Sequence, residues 1–281
     1  MRIPVPEMDE RFNCTEDAIE HIIRISSVII DKAKVICPST SVSDVPGYAL
    51  EICRKVLIQA ETLVIVARKR EDYNTLCALV RILADNISII NLVYNGDDEE
   101  ERIMRHLLYV LDGVSERFAL LEERQVVYDG KIPIETFEAL SAQIKGARDN
   151  AYNCKEFCIS AIKARQYYTT YQKEIDILIE KKNWKYKTLD KPKESYSWKE
   201  MYNLLNLREA GEMFSYFSQY VHGLSISNIA LNDTDDFDAP LSFTVCLLGH
   251  LFGFLRKVYE PYIGEYTWDD IYKMAPELFE K

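Results

Sequence analysis

From Thr15 to Val258, apolar residues recur every three or four positions in one long run after another, and glycine and proline rarely interrupt them. A strand-rich chain needs a turn every few residues, and 10 Gly with 9 Pro in 281 residues cannot supply that punctuation. The sequence therefore reads as all-α: a multi-helix bundle of long antiparallel helices with shorter helices toward the C-terminus. With 48% hydrophobic and 28% charged residues it has the balance of a packed globular protein. It is read as one helical domain over residues 1–281, and the irregular segment 183–197 is where it would subdivide.

The first helix is expected from Thr15, as N-cap, to about Val35. A second runs from about Pro46 to Lys69 with Leu50, Cys53, Leu57, Ala60, Val64 and Ala67 on one face. The third, about Asp72 to Tyr94, should stop at Asn95-Gly96 with Gly96 as a left-handed C-cap. The acidic run Asp97 to Glu101 opens a fourth, whose stripe is Ile103, Leu107, Val110, Val114, Phe118 and Leu121. After an Asp129-Gly130 turn, Pro133 starts a long helix carrying Leu140, Ile144, Ala151, Cys154, Cys158 and Ile162, which is expected to continue, bent, toward Ile179. Short helices follow from about Trp198 and Glu209. An acidic loop, a helix from Pro240 to about Val258 and a short terminal helix complete the chain.

A formal net charge of −11 opposes broad phosphate-backbone binding, which argues against nucleic acid as a partner. The opening MRIPVPEMDERFNC lacks the basic start and apolar stretch of a signal peptide. Val56 to Ala67, read as the most apolar stretch, is far too short for a membrane span. Seven cysteines without a CxxC pair read as reduced. Together these features set the expectation of a cytoplasmic protein with no membrane partner.

The third helix is apolar nearly all round, yet Arg81 and Asp85 stand one turn apart on it with Ser88 continuing the strip. A buried arginine needs partners beyond one carboxylate. The second constellation is EMFSYFSQYVHG, where Ser215, Ser218 and His222 share a strip. His222 is the best placed of four histidines. A serine one turn from its would-be base on the same helix rarely reaches nucleophile geometry, and no oxyanion-hole motif accompanies it.

The segments ALVRILADN and YFSQYVHG resemble the paired signature of a family of helical prokaryotic proteins of unknown function, an Arg-x-x-x-acid helix followed by a Tyr-x-Ser-x-x-x-His helix. That resemblance implies a shared cluster of Arg81, Asp85, Tyr216, Ser218 and His222, with Asp85 standing where such proteins more often have Glu. It implies no activity, and a stress or defence setting is suggested only by the kind of relatives.

Other motifs point less far. Asp97 to Glu101 matches the spacing of a Mg²⁺-binding DDxxE motif but lacks a second metal motif, so solvated helix-start acids are the better reading. Asp233, Asp235, Asp236 and Asp238 lack the glycine and glutamate of an EF-hand and lead to Asp238 as an N-cap. Cys154 and Cys158 have no companion ligands. No metal and no cofactor is therefore expected.

Tyr167, Tyr168, Tyr171, Trp184, Tyr186, Tyr196 and Trp198 interleave with Lys181, Lys182, Lys185, Lys187, Lys191 and Lys193. They suit either base stacking, a protein contact, or a loop packed onto the bundle by its own aromatics, and the last is preferred. The functional expectation is a binding module for an unidentified protein or small ligand, preferred over an enzyme. The alternative is a hydrolase or nuclease centred on His222, with Arg81 stabilising an anion and Asp85 or Tyr216 in support. A cluster that only fixes helix register is the competing structural reading.

Overall fold

The structure is a computed structural model describing residues 14–123, 127–207, 210–221 and 237–263. Among the described residues all regular structure is helical: α1 (Thr15–Ile36), α2 (Val45–Lys69), α3 (Tyr73–Tyr94), α4 (Glu99–Glu123), α5 (Ile134–Lys163), α6 (Gln166–Thr170), α7 (Gln172–Lys181), α8 (Trp198–Asn203), α9 (Ala210–Val221) and α10 (Asp238–Ile263). The all-α reading is thus correct. Contacts divide the chain into two compact units, Met1–Asn95 with Ser197–Lys281, and Gly96–Tyr196.

In the first unit α3 is central, packing against α2, α8, α9 and α10, while α1 lies against α2 and α10. Its Leu76, Val80, Leu83, Ile87, Ile90 and Val93 are all buried. Each such side chain contributes about 1.5–3 kcal/mol on leaving water. Polar ties set the directions. Arg68 at the end of α2 reaches Asp17 and Glu20 near the start of α1 at 3.0 and 2.9 Å, so these helices are antiparallel. α10 starts beside Arg70, with Asp238 3.7 Å away, and ends where Tyr259 donates to the Pro46 carbonyl at 2.7 Å, so it runs antiparallel to α2.

Gly47, in the first turn of α2, meets the preceding loop so closely that a Cβ would stand 2.0 Å from the Ser39 carbonyl oxygen. Only glycine tolerates that approach.

In the second unit α4 packs along α5 and touches α7. α5 buries little, its buried residues being Ala151, Cys158 and Ile162, and Leu140 is 44% exposed rather than on a core face.

Several boundaries differ from the sequence reading. Thr15 is the first helical residue and Cys14 the cap, without a side-chain bond. α3 ends on Asn95 in right-handed geometry, and Gly96 is not left-handed; Gly130 is. The helix expected to run on to Ile179 is broken into α5, α6 and α7. Arg165 and Tyr167 at the break bond to Glu100 and Asp98 at the start of α4, which fixes the chain there. Asp238 lies within α10 and does not precede it. Asp233, Asp235, Asp236 and the terminal helix lie outside the described residues.

Two other helices are apolar over the longer span that a membrane crossing needs. α3 (mean hydropathy 1.8) and Asp238–Pro261 of α10 (1.4) are each long and apolar enough to cross a membrane by length and composition. About half of each is buried inside the unit, 56% and 50%.

Candidate functional site

The Arg81 cluster is assembled by three helices of the first unit. α3 supplies Arg81 and Asp85, one turn apart on the same strip. α8 begins with a capping box in which Ser197 and Glu200 bond each other's backbone N–H at 3.2 and 2.7 Å. That cap holds a helix of six residues, too short to stand alone. It carries Trp198 and Tyr202 one turn apart, with stacked rings. α9 follows at close range because Gly211, whose N–H donates to Asn203 Oδ1 at 3.2 Å, has no side chain to collide with Asn203 and Lys199.

Arg81 Nε donates to Ser218 Oγ at 2.7 Å, and its guanidinium pairs with Asp85. The same guanidinium lies 4.9 Å from the centre of the Tyr202 ring and 5.8 Å from that of Trp198. Tyr202 donates its hydroxyl proton to Asp85 Oδ1 at 2.6 Å, closing a ring of contacts. The Arg81 side chain is 13% exposed and that of Asp85 31%, so the arginine is mostly withdrawn from water and its counter-ion is not. Burial lowers the Arg81 pKa, an effect the neighbouring Tyr202 opposes. Burial also pushes the Tyr202 phenol up to about 12, with Arg81 pulling the other way. Both therefore keep their ordinary protonation at neutral pH: a cation, and a phenol that donates.

Ser218 is committed twice over. Its oxygen accepts from Arg81, and its proton lies toward the Phe214 carbonyl 3.1 Å away. Among the described residues no base contacts Ser218 of the kind that activates a nucleophile.

Of the residues singled out from sequence, the structure brings Arg81, Asp85 and Ser218 together. Tyr216 lies elsewhere: two positions along a helix is more than half a turn, and its hydroxyl bonds Tyr220, whose ring meets Tyr73 edge-on. Tyr216 is 40% exposed. His222 lies outside the described residues. Ser215 donates to the Gly211 carbonyl at 2.5 Å, and the buried Ser88 hydroxyl has no hydrogen-bond partner among the described residues. Sequence reasoning missed Tyr202. The signal was the Ser-x-x-Glu capping box at Ser197, which marks a helix start and thereby puts Trp198 and Tyr202 on one face.

The aromatic and lysine segment of the second unit is a hairpin-like loop in which Tyr186 and Ser195 form an antiparallel bridge. Trp184 is 6% exposed and Tyr186 fully buried, so neither offers a face on which a base stacks. The fastening is Arg105 of α4, which the sequence did not single out. Its Nη1 donates to the carbonyls of Trp184 and Tyr186 at 3.2 and 2.9 Å, and its guanidinium covers the Tyr186 ring at 4.0 Å. Glu101 neutralises it at 2.7 Å. The acids opening α4 are accordingly not merely solvated: Glu100 holds Arg165, Glu101 holds Arg105, and Asp98 caps the helix while accepting from Tyr167. Among the described residues no group of three or more His, Cys, Asp or Glu side chains could hold a metal ion.

No family model, curated protein or solved structure matches the chain.

Proposed function

We propose that this chain is a cytoplasmic helical interaction module, and that the Arg81 cluster is the joint fixing α8 and α9 on α3. The observation that carries this reading is the commitment of Ser218, whose oxygen and proton are taken by Arg81 and Phe214. Asp85 is likewise taken by Arg81 and Tyr202, so three groups a hydrolytic site would employ, Arg81, Asp85 and Ser218, are used in holding three helices together. A cytoplasmic setting accords with seven cysteines that form no disulfide.

A double-mutant cycle tests the joint. Arg81→Met should cost about 3 kcal/mol, the low end for breaking a buried pair because Asp85 still reaches water. Ser218→Ala should cost about 1 kcal/mol. The two should couple by roughly 1 kcal/mol in urea unfolding. Stability unchanged within about 0.5 kcal/mol in Arg81→Met would refute the joint and return these groups to a ligand or substrate.

A further inference from the structure

Six lysines fall between Lys181 and Lys193, on a chain whose net charge is −11. The second unit distributes them unevenly over two clefts. One, of about 380 Å³, is lined by Lys173, Lys191 and Lys193 together with Glu174, Asp190 and Glu194, so its charges balance. The other, of about 410 Å³, is lined by Lys181, Lys182, Lys185 and Lys193 against the single carboxylate of Asp112. Its lining thus carries four lysines to one carboxylate, with Lys193 shared between the two clefts.

The remaining polar groups of this second cleft are already used. Asn183 donates to the Pro192 carbonyl at 2.9 Å and accepts from Ser195 at 2.7 Å, while the Trp184 indole N–H donates to Asp112 at 3.1 Å. Lys181 is 3.7 Å from Glu180, and Lys185 lies 5.6 Å from the centre of the Trp184 ring. Lys182 sits in left-handed geometry (φ 51°, ψ 37°) at the end of α7, a place that suits glycine. A lysine there costs roughly 1 kcal/mol of backbone strain, a cost met elsewhere at ligand-binding positions. Several ammonium groups around one cavity repel each other unless an anion sits among them.

We propose that this cleft binds a small polyphosphate, a molecule carrying two or more linked phosphate groups, through the ammonium groups of Lys181, Lys182, Lys185 and Lys193. Lysines act here as point charges toward phosphate oxygens. The volume falls within the range of small-molecule sites. Trp184 also lines the cleft, but at 6% exposure and packed edge-on against Tyr109 its ring offers little surface for a base to stack on, so the cleft reads phosphate charge. This proposal is independent of the Arg81 joint.

Calorimetric titration of the full chain with inorganic tripolyphosphate tests it, with ATP and a single-stranded oligouridylate as parallel arms. Saturable binding of one equivalent is expected, with ATP and tripolyphosphate agreeing within about threefold, since lysine contacts are to phosphate alone. Lys182→Gln with Lys193→Gln should weaken binding roughly tenfold or more, the scale of one lost charge-assisted contact. Lys187→Gln with Lys191→Gln, which removes equal charge from the same loop outside the triphosphate cleft, should leave it unchanged. Both pairs alter exposed or half-exposed side chains, and unfolding midpoints without ligand confirm that each variant folds. Absence of saturable binding at millimolar tripolyphosphate overturns the proposal. So do equal losses in the two variant pairs, an ATP preference above about tenfold, or oligouridylate binding that tripolyphosphate does not displace.

Discussion

Arg105→Met is the most direct challenge to the account of the second unit. The wild-type side chain is 7% exposed and donates to two main-chain carbonyls of the loop. Methionine fills a similar volume but donates nothing, so the carbonyls of Trp184 and Tyr186 are left facing an apolar group. An unsatisfied buried acceptor costs about 1–3 kcal/mol. Loss of the cation from the Tyr186 ring adds about 1–2 kcal/mol. Glu101 contributes little, because at 43% exposure its carboxylate is rehydrated when the arginine is gone. With two carbonyls stranded the total is about 3–8 kcal/mol, a large share of the roughly 5–15 kcal/mol that holds a domain together. Arg105→Lys should lose about half as much, since an ammonium keeps the charge but not the planar fork. Urea unfolding gives the free energies, and hydrogen exchange of peptides spanning 183–196 reports the loop. If Arg105→Met loses less than about 1 kcal/mol and the loop amides stay protected, the two carbonyls are satisfied by something other than Arg105 and the clamp does not exist.

Four further outcomes are expected. Gly47→Ala should cost about 2 kcal/mol or more, because its Cβ meets a backbone oxygen that cannot rotate away; a melting temperature within a degree or so of wild type would contradict the packing. Lys182→Gly should raise the unfolding free energy by up to about 1 kcal/mol through relief of the left-handed turn, measured in the same urea titrations. Burial of Tyr202 and the bond from Tyr167 to Asp98 each hold a phenol up to about 12, so the folded state keeps protons the unfolded chain releases. Stability should then be intact below about pH 10 and fall as pH rises toward about 12, less steeply in Tyr202→Phe; a stability that rises over that window would reverse the sign. Burial raises the pKa of the Cys53 thiol far above the ordinary range and that of Cys158 to about 12, so both should resist a thiol reagent in native protein while Cys14 and Cys37 react first.

What the sequence disclosed follows a physical division. Helices whose stability rests on their own apolar stripe were legible: α2 and α3 start within a residue or so of expectation because Asp44 and Asp72 cap them by local bonds to Gly47 and Thr75. Features set by distant partners were not. The break after Lys163 has neither glycine nor proline to announce it and is held by Glu100 and Asp98, more than sixty residues earlier in the chain. At the candidate site the pair Arg81 and Asp85 was visible as polarity on an apolar helix. Their partner Tyr202 was hidden in a stretch whose lysines and aromatics drew attention as a surface. Arg105 was hidden for the opposite reason, as one charged residue among many on an amphipathic helix.

The two arginines share a design. Each lies on a long helix with an acid one turn away, Asp85 after Arg81 and Glu101 before Arg105, and each covers a tyrosine ring, at 4.9 and 4.0 Å. Each fastens chain of low intrinsic order, a six-residue helix in one unit and an irregular loop in the other, where apolar burial alone supplies few contacts. They differ in what they hold. Arg81 bonds side chains, Ser218 and Asp85, all of which can be replaced together by apolar groups of similar shape without leaving a polar atom stranded. Arg105 bonds main-chain carbonyls, which no substitution removes. A combined Arg81→Met, Asp85→Leu, Tyr202→Phe, Ser218→Ala variant should therefore recover most of the stability lost by Arg81→Met alone, as apolar replacement of a whole ion-pair cluster often does. No combination of side-chain changes around Arg105→Met should do so, because the acceptors it leaves behind belong to the backbone.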